Sequence, residues 1–273
     1  MKVSVCLITY NHREYVAQAI ESVLAQKTSF PFEVRIGEDS STDGTREIVE
    51  SYARRFPETI RPNFHDENRG LLRNFLSTFE SCRGEYVALL DGDDFWTSPE
   101  KLQKQADFLD AHPDCTIGFH QTEVLLPDGT LCETNYTRPG QPAFASIEAL
   151  FESNFIATCS AMLRKGAVRE IPDWYVTSRW EDWPLYLLFA DRGRIGYLPE
   201  AMGTYRSHGR GLWSGLDPIA QVEAVIGFLL TMDERLGRRY TAEILTSVSR
   251  YVGELERLQA ERAAAAAAVT VSR

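Results

Sequence analysis

The first 115 residues alternate between two kinds of pattern, and that alternation limits the folds open to the chain. "VSVCLITY" (3–10) is a short, apolar, β-branched run, as expected of a strand buried on both faces. A helical pattern follows over 13–26, with Tyr15, Val16, Ala19, Ile20, Val23 and Leu24 along one face. "FEVRIGE" (32–38) reads as a second strand, and "SSTDGT" then supplies turn and capping chemistry ahead of the helix "REIVESYARRF". A third strand is expected near "TIRPNF", a helix near "LLRNFLSTFESC", and a further strand at "EYVALL". "TSPEKLQKQADFLDAH" opens the next helix, with Ser98 as N-cap and Pro99 at the first helical position. This βαβαβ rhythm predicts an α/β fold: an open, mostly parallel sheet flanked by helices. Ligands of such sheets bind beyond the carboxyl ends of the strands. The informative residues there are Thr9 to Asn11, Glu38 to Asp43 and Asp91 to Asp94.

From residue 116 the pattern changes. "TIGFHQTEVLLPDGTLCE" predicts a hairpin turning at Pro127–Gly129. A helix is expected near "SIEALFES", a strand near "TCSAMLRKGA", a helix at "WEDWPLYLLFADRG", and a strand with its loop at "RIGYLPEAMGTYRSH". After Gly215 the pattern is helical, over 218–236 and 241–264, and ends in the low-complexity tail "ERAAAAAAVTVSR", a frayed helix or disordered. No internal repeat is evident.

At 273 residues the chain can form one large domain or one domain with an appendage. Its net charge of −10 argues against nucleic acid as a partner, since that needs a basic, phosphate-neutralising face. Anionic substrates remain open, because a divalent cation inverts the local sign. Cys6, Cys82, Cys115, Cys132 and Cys159 form no CxxC pair and read as small packing residues in a reducing compartment. The strand beginning at Lys2 leaves no room for a signal peptide, and "AVIGFLL" is too short to span a bilayer, so a cytoplasmic location is expected.

Chemistry concentrates in "ALLDGDDFW" (88–96), where Asp91, Asp93 and Asp94 follow a buried strand. An Asp-x-Asp at a strand end puts two carboxylates on the same side. Both can reach one hard cation such as Mg²⁺ or Mn²⁺, and Gly92 between them permits close backbone approach. Alone, the motif reads more simply as a solvated turn capping the next helix.

"ITYN", "EDSSTDGT" and "LLDGDDFW" would share one rim. Together with "ENRGLLRNF", "EDWPLYLLFADRGRIGYLPE" and "YRSHGRGLWS", in this order over residues 1–215, they resemble family 2 glycosyltransferases. The resemblance implies a GT-A, Rossmann-like fold and a nucleotide-sugar donor. It would divide the chain into a nucleotide-sugar-binding half (1–115), an acceptor-binding and catalytic half (116–215) and a C-terminal helical extension (216–273). Thr9, Tyr10 and Asn11 would line the nucleotide, Asp39 would recognise uracil or its ribose, and Asn68 and Arg73 would lie near the same pocket. Asp91, with Gly92, would face the ribose or sugar. Asp93 would hold a Mn²⁺ or Mg²⁺ ion, with Asp94 as a substitute. His208 stands where many such enzymes carry a metal-binding histidine, and it also reads as an ordinary loop histidine.

In inverting members a carboxylate of an "ED" pair is the general base, which points to Asp182; Asp182 also reads as a helix cap. "SHGRGLWSG" reads as a mobile loop with Trp213 as a lid residue or as a plain linker, and Arg206 and Arg210 are candidates to touch the diphosphate. His120, in the predicted hairpin, reads as a packing residue, with contact to the acceptor as the alternative. The expected partners are a nucleotide-sugar donor and a glycan, lipid-linked saccharide or small-molecule acceptor. The C-terminal helices lie outside the resemblance, and their apolar stripes suit packing on the same chain, a homodimer interface or peripheral membrane contact. Two other readings remain open: a non-catalytic nucleotide-binding or scaffold protein of this fold, and a sugar-phosphate nucleotidyltransferase. The latter lacks its usual glycine-rich signature here.

Overall fold

The computed structural model describes residues 1–133, 136–137, 140–208 and 216–271, with side chains to 265. Arg210 and Trp213 lie outside the described residues. The chain divides into two compact units, one of residues 1–150 and 154–207, the other of 151–153 and 208–273.

The first unit opens with the predicted alternation. Strands β1 (Val3–Thr9), β2 (Phe32–Glu38), β3 (Ile60–Phe64) and β4 (Tyr86–Asp91) alternate with helices α1 (Val16–Leu24), α2 (Thr45–Arg55) and α3 (Leu71–Ser81). The four strands are parallel, β1 lying between β2 and β4, with β3 outside β2. All seven residues of β1 are buried, because helices cover both faces of a parallel sheet and no side of the strand meets water. Val3, Val5, Leu7, Val34, Ile36, Ala88 and Leu90 form the floor against which Val16, Ala19, Ile20 and Val23 of α1 pack.

The remaining elements are β5 (Phe95–Trp96), α4 (Lys101–Ala111), β6 (Cys115–Leu125), β7 (Leu131–Glu133), β8 (Phe144–Ala145), α5 (Ile147–Glu152), β9 (Met162–Arg164), α6 (Asp182–Ala190) and β10 (Arg194–Arg206). They extend the sheet in the order β3-β2-β1-β4-β9-β6-β10-β5. Short β9 runs antiparallel between β4 and β6, while β10 runs parallel to β6 for most of its 13 residues. The hairpin is as expected: β6 and β7 pair antiparallel, Leu126 and Thr130 close the turn, and Gly129 takes φ 84°, a conformation that favours glycine.

One expected cap is displaced. α4 begins at Lys101, not after Ser98; Pro99 and Glu100 form a turn, and the Ser98 Oγ accepts from the Glu100 amide at 3.3 Å. The two-residue strands β5 and β8 escape a periodicity reading because two residues have no period.

In the second unit, α7 (Pro218–Arg235) is capped by Asp217, which accepts from the Ile219 amide at 3.0 Å. α8 (Thr241–Val271) continues through the alanine run. Val225, Phe228, Leu229, Met232 and Ile244 are buried, whereas Leu230, Leu245 and Val252 are exposed. Among the described residues no helix is long and apolar enough to cross a membrane. All five cysteines are free, and only Cys132 is exposed.

Candidate active site

The carboxyl ends of β1, β2 and β4 bring three loops to one rim. Behind β1, Asn11 adopts φ 54°, and behind β2, Ser40 adopts φ 60°. Left-handed backbone at two non-glycine residues costs energy, which adjoining contacts must offset. Those contacts lock the loops together: the Asn11 amide donates to Ser41 Oγ at 3.0 Å, and the Thr42 amide donates to Asn11 Oδ1 at 2.9 Å. Asp43 accepts from the Arg13 amide and from the Thr45 amide and hydroxyl, and these bonds hold its carboxyl below its usual range although desolvation opposes them.

Tyr10 and Asn11 stand exposed on the rim, but Thr9 is buried beneath Gly92. A Cβ at Gly92 would meet Thr9 Oγ1 at 2.6 Å and His12 Nδ1 at 3.0 Å, so the glycine is required by the chain's own packing. Asp39 is 2% exposed, and its two carboxylate oxygens accept from the amides of Arg69 (2.8 Å) and Gly70 (2.9 Å). Asn68 donates to the Asp39 carbonyl. Asp39 thus shapes the loop ahead of α3, and exposed Arg73 on α3 lines a neighbouring groove with Arg69, Ser77 and Glu80.

Five carboxylates converge from two places. Asp91, Asp93 and Asp94 lie at and beyond the end of β4, while Glu181 and Asp182 begin α6. Desolvation, and then repulsion from Glu181, Asp93, Asp94 and Asp182, pushes the Asp91 carboxyl well above the carboxylate range. Desolvation followed by the charge of Asp182 pushes Glu181 up to about 8. Asp182 is also raised by desolvation, but it keeps two donors: the Trp183 amide at 2.6 Å and the Asn154 side chain at 2.7 Å. Those donors favour its ionised form, whereas desolvation and Asp182 disfavour ionised Glu181.

Several side chains set this geometry in ways the sequence did not signal. His12 Nε2 stands 3.7 Å from Asp93 Oδ2, on the β1 loop that carries Tyr10 and Asn11. Its position two residues beyond "ITY" was the available clue. Asn154 gave none, because only the fold brings it to Asp182. Arg206, a candidate for the diphosphate, instead donates through Nε to the Asp93 carbonyl (2.8 Å) and through Nη2 to Gln18 (2.7 Å), stacking on Tyr15 and Phe95. Its amide donates to Asp94 Oδ1 at 2.8 Å, so Arg206 braces the acidic turn. Tyr136 and Tyr205 meet edge to face at 5.6 Å near the carboxylates, and burial raises both phenols. His120 is buried, with Nδ1 bonded to the Gln121 carbonyl at 2.7 Å, and so is removed from the rim. His208 groups with the C-terminal unit, and its part in metal binding rests on its motif.

The acidic set suits a hard cation: its donors are carboxylate oxygens whose mutual repulsion a positive ion would relieve. Among the described residues no three His, Cys, Asp or Glu side chains close around one point. Any ion here would therefore draw most of its ligands from a substrate or water, the usual arrangement for Mg²⁺.

Comparison with known proteins bears on this geometry. The family model "Glycosyl transferase family 2" matches residues 4–171. An uncharacterized protein of Mycobacterium tuberculosis is 39% identical over 211 residues, which are 77% of this chain and 60% of the relative. An uncharacterized glycosyltransferase of Nostoc sp. is 30% identical over 217 residues, 77% of this chain and 66% of its own. The chain therefore spans less than two thirds of the length of these relatives. In fold it is similar to S. aureus TarS in complex with UDP-GlcNAc (TM-score 0.64, 18% identity, 95% of this chain and 83% of that one). It is equally similar to the Pyrobaculum calidifontis mannosyltransferase PcManGT in complex with GDP-Man and Mn²⁺ (TM-score 0.64, 16% identity, 99% and 80%). With a family match over residues 4–171 and a GT-A architecture, the chain belongs to glycosyl transferase family 2.

Proposed function

We propose that this chain carries the catalytic unit of an inverting, metal-dependent glycosyltransferase. It would move a sugar from a nucleoside diphosphate donor, with a UDP-sugar as first candidate, to a hydroxyl of a glycan, lipid-linked saccharide or small molecule. The observation that carries this reading is the convergence of five carboxylates at the rim of the parallel sheet. A lone Asp-x-Asp turn capping a helix would not need Glu181 and Asp182 turned toward it. The nucleotide complexes of TarS and PcManGT, on the same fold, support the donor class.

In this reading Tyr10 and Asn11 contact the nucleotide, Asp39 fixes the loop that borders uracil, and Asn68 and Arg73 flank it. Asp91 addresses the sugar side, and Asp93, braced through its carbonyl by Arg206, would hold the cation. Mn²⁺ or Mg²⁺ bound there would neutralise charge developing on the leaving diphosphate. Asp182 accepts the proton of the acceptor hydroxyl as that oxygen attacks the anomeric carbon. Its orientation is fixed by the Asn154 amide and the Trp183 N–H, which leaves no need to reorganise during transfer.

The experiment is a thermal-stability titration with UDP, with and without Mn²⁺, followed by nucleotide release from donor–acceptor mixtures. A ligand that binds only the native state raises stability by RT ln(1 + [L]/Kd). Asp93→Ala should abolish the metal-dependent shift, and Asp182→Asn should keep the shift while losing transfer. Wild-type turnover in Asp182→Asn would remove Asp182 from the base role; no shift with any nucleoside diphosphate would overturn the reading itself.

A further inference from the structure

Asp182 draws its two donors from different places. Trp183 is its neighbour on α6, but Asn154 lies 28 residues away, in the turn that follows α5. The Asn154 Oδ1 accepts from the Ile156 amide at 3.3 Å, which leaves its Nδ2 to face Asp182. Just upstream, the Leu150 carbonyl accepts from the Trp183 indole N–H at 2.9 Å. Residues 150 and 154 are thus both bonded to the first turn of α6.

Between those two bonds the chain is gripped from α8. Glu152 ends α5, and the last carbonyls of a helix find no partner within it. Its carbonyl accepts from the Tyr251 hydroxyl at 2.8 Å and from the Arg250 guanidinium. The fully buried Phe151 ring meets the Tyr240 ring, just ahead of α8, at 5.4 Å between centroids. The stretch 150–154 is therefore tied at both ends to the helix that carries Asp182 and in its middle to α8. So short a piece of chain, pinned at three points, has little freedom to shift at one of them alone.

We propose that Tyr251 and Arg250 are positioning residues for the general base: by holding the Glu152 carbonyl they keep Asn154 on Asp182. This rests on the proposed reading of Asp182, and it gives α8, which lies beyond the family match over 4–171, a part in the reaction. Both side chains act through residues 152–154 and not on substrate. The Asn154 amide aims the Asp182 carboxylate and also favours its ionised form against the desolvation that opposes it. A slip of the turn would loosen both effects.

The test is a double-mutant cycle. On one side Tyr251→Phe with Arg250→Met removes both donors from Glu152 and keeps the ring and the apolar stem; on the other, Asn154→Ala removes the amide. Arg250 is exposed and Tyr251 half-buried, so neither change opens the core. Each protein and the combination are compared by thermal response to UDP with Mn²⁺. They are then compared by hydrolysis of UDP-glucose, UDP-N-acetylglucosamine and GDP-mannose, in which water stands in for the acceptor hydroxyl. The α8 variant should keep the wild-type UDP response and KM and lose about tenfold in kcat, inside the hundredfold or so that a 1 Å misplacement can cost. Asn154→Ala should lose at least as much, and adding the α8 changes to it should cost nothing further. Wild-type kcat in the α8 variant would overturn the inference, and so would the same fold-loss with and without Asn154. A weakened UDP response in the α8 variant would overturn it too, by marking a general loosening of the fold. Wild-type turnover in Asp182→Asn, or a wild type that hydrolyses none of the donors, would instead refute the reading on which the proposal stands.

Discussion

His120 offers a measurement of how dry the centre of this fold is. It lies on β6, 1% exposed; its Nδ1–H donates to the Gln121 carbonyl at 2.7 Å, and Nε2 has no partner among the described residues. Burial, reinforced by the nearby Lys101 charge on α4, lowers the imidazole from 6.5 to about 3. The unfolded chain therefore binds a proton that the folded chain refuses. The stability due to neutral His120 is complete above the unfolded value and is lost progressively as pH falls from 6.5 toward 3. Each unit below the unfolded value costs about 1.4 kcal/mol, so moving from pH 7 to pH 5 costs about 2 kcal/mol. For a chain of this size that corresponds to a fall of about 3–4 °C in melting temperature. The assay is calorimetric unfolding of wild type and His120→Asn from pH 8 to pH 5, the asparagine retaining an N–H donor. Glu33 and Asp43, held low, weaken the fold in acid, while Asp91 and Glu181, held high, do the reverse; both proteins share them, so they cancel in the difference. The gap between the two proteins should narrow by about 2 kcal/mol over that range. A gap independent of pH would refute the argument that His120 is folded neutral.

Four further outcomes are expected. Lys101→Met should stabilise the protein by about 1–2 kcal/mol in urea unfolding, since burial drives the Lys101 amine well below the usual lysine range and the amine has no hydrogen-bond partner among the described residues. Asp39→Ala should cost about 2–3 kcal/mol by stranding the Arg69 and Gly70 amides, and should weaken the thermal response to UDP. Gly92→Ala should cost about 1–3 kcal/mol by driving a methyl into Thr9 and His12, and isothermal titration should show weaker Mn²⁺-dependent UDP binding. Arg206→Ala should free the Asp93 carbonyl and raise the Mn²⁺ concentration that UDP binding requires, with a smaller effect on UDP alone.

The parallel half of the sheet was legible because β1, β2 and β4 are largely buried on both faces and each helix shows one apolar stripe, whereas β3, outside β2, has only Ile60 buried; β1, α1, β2 and α3 follow from the pattern alone. Beyond residue 116 the strands are antiparallel or bulged, and β9 pairs through three residues with β4 and two with β6, too few to leave a period. In the site, residues adjacent in sequence to a strand end were legible, as with Asp91 to Asp94. Those contributed by distant segments were not: Asn154 meets Asp182 across 28 residues. Glycine at 92 suggested access for a ligand, whereas its tight neighbours are Thr9 and His12.

The brace made by Arg206 has a consequence for the order of assembly. Its bonds to Asp94, Asp93 and Gln18 span 112, 113 and 188 residues, so none can form until β10 has docked beside β6. Closing loops of that length is entropically slow, which makes these contacts late events. A chain that has formed only β1 to β4 already holds Asp91, Asp93 and Asp94 but lacks the guanidinium that steadies them. Competence to bind a nucleotide would therefore arise at the end of folding, and a half-folded molecule would be an inert one. In pulsed hydrogen exchange the Arg206 amide should gain protection together with the β6–β10 ladder; protection ahead of that ladder would contradict this order.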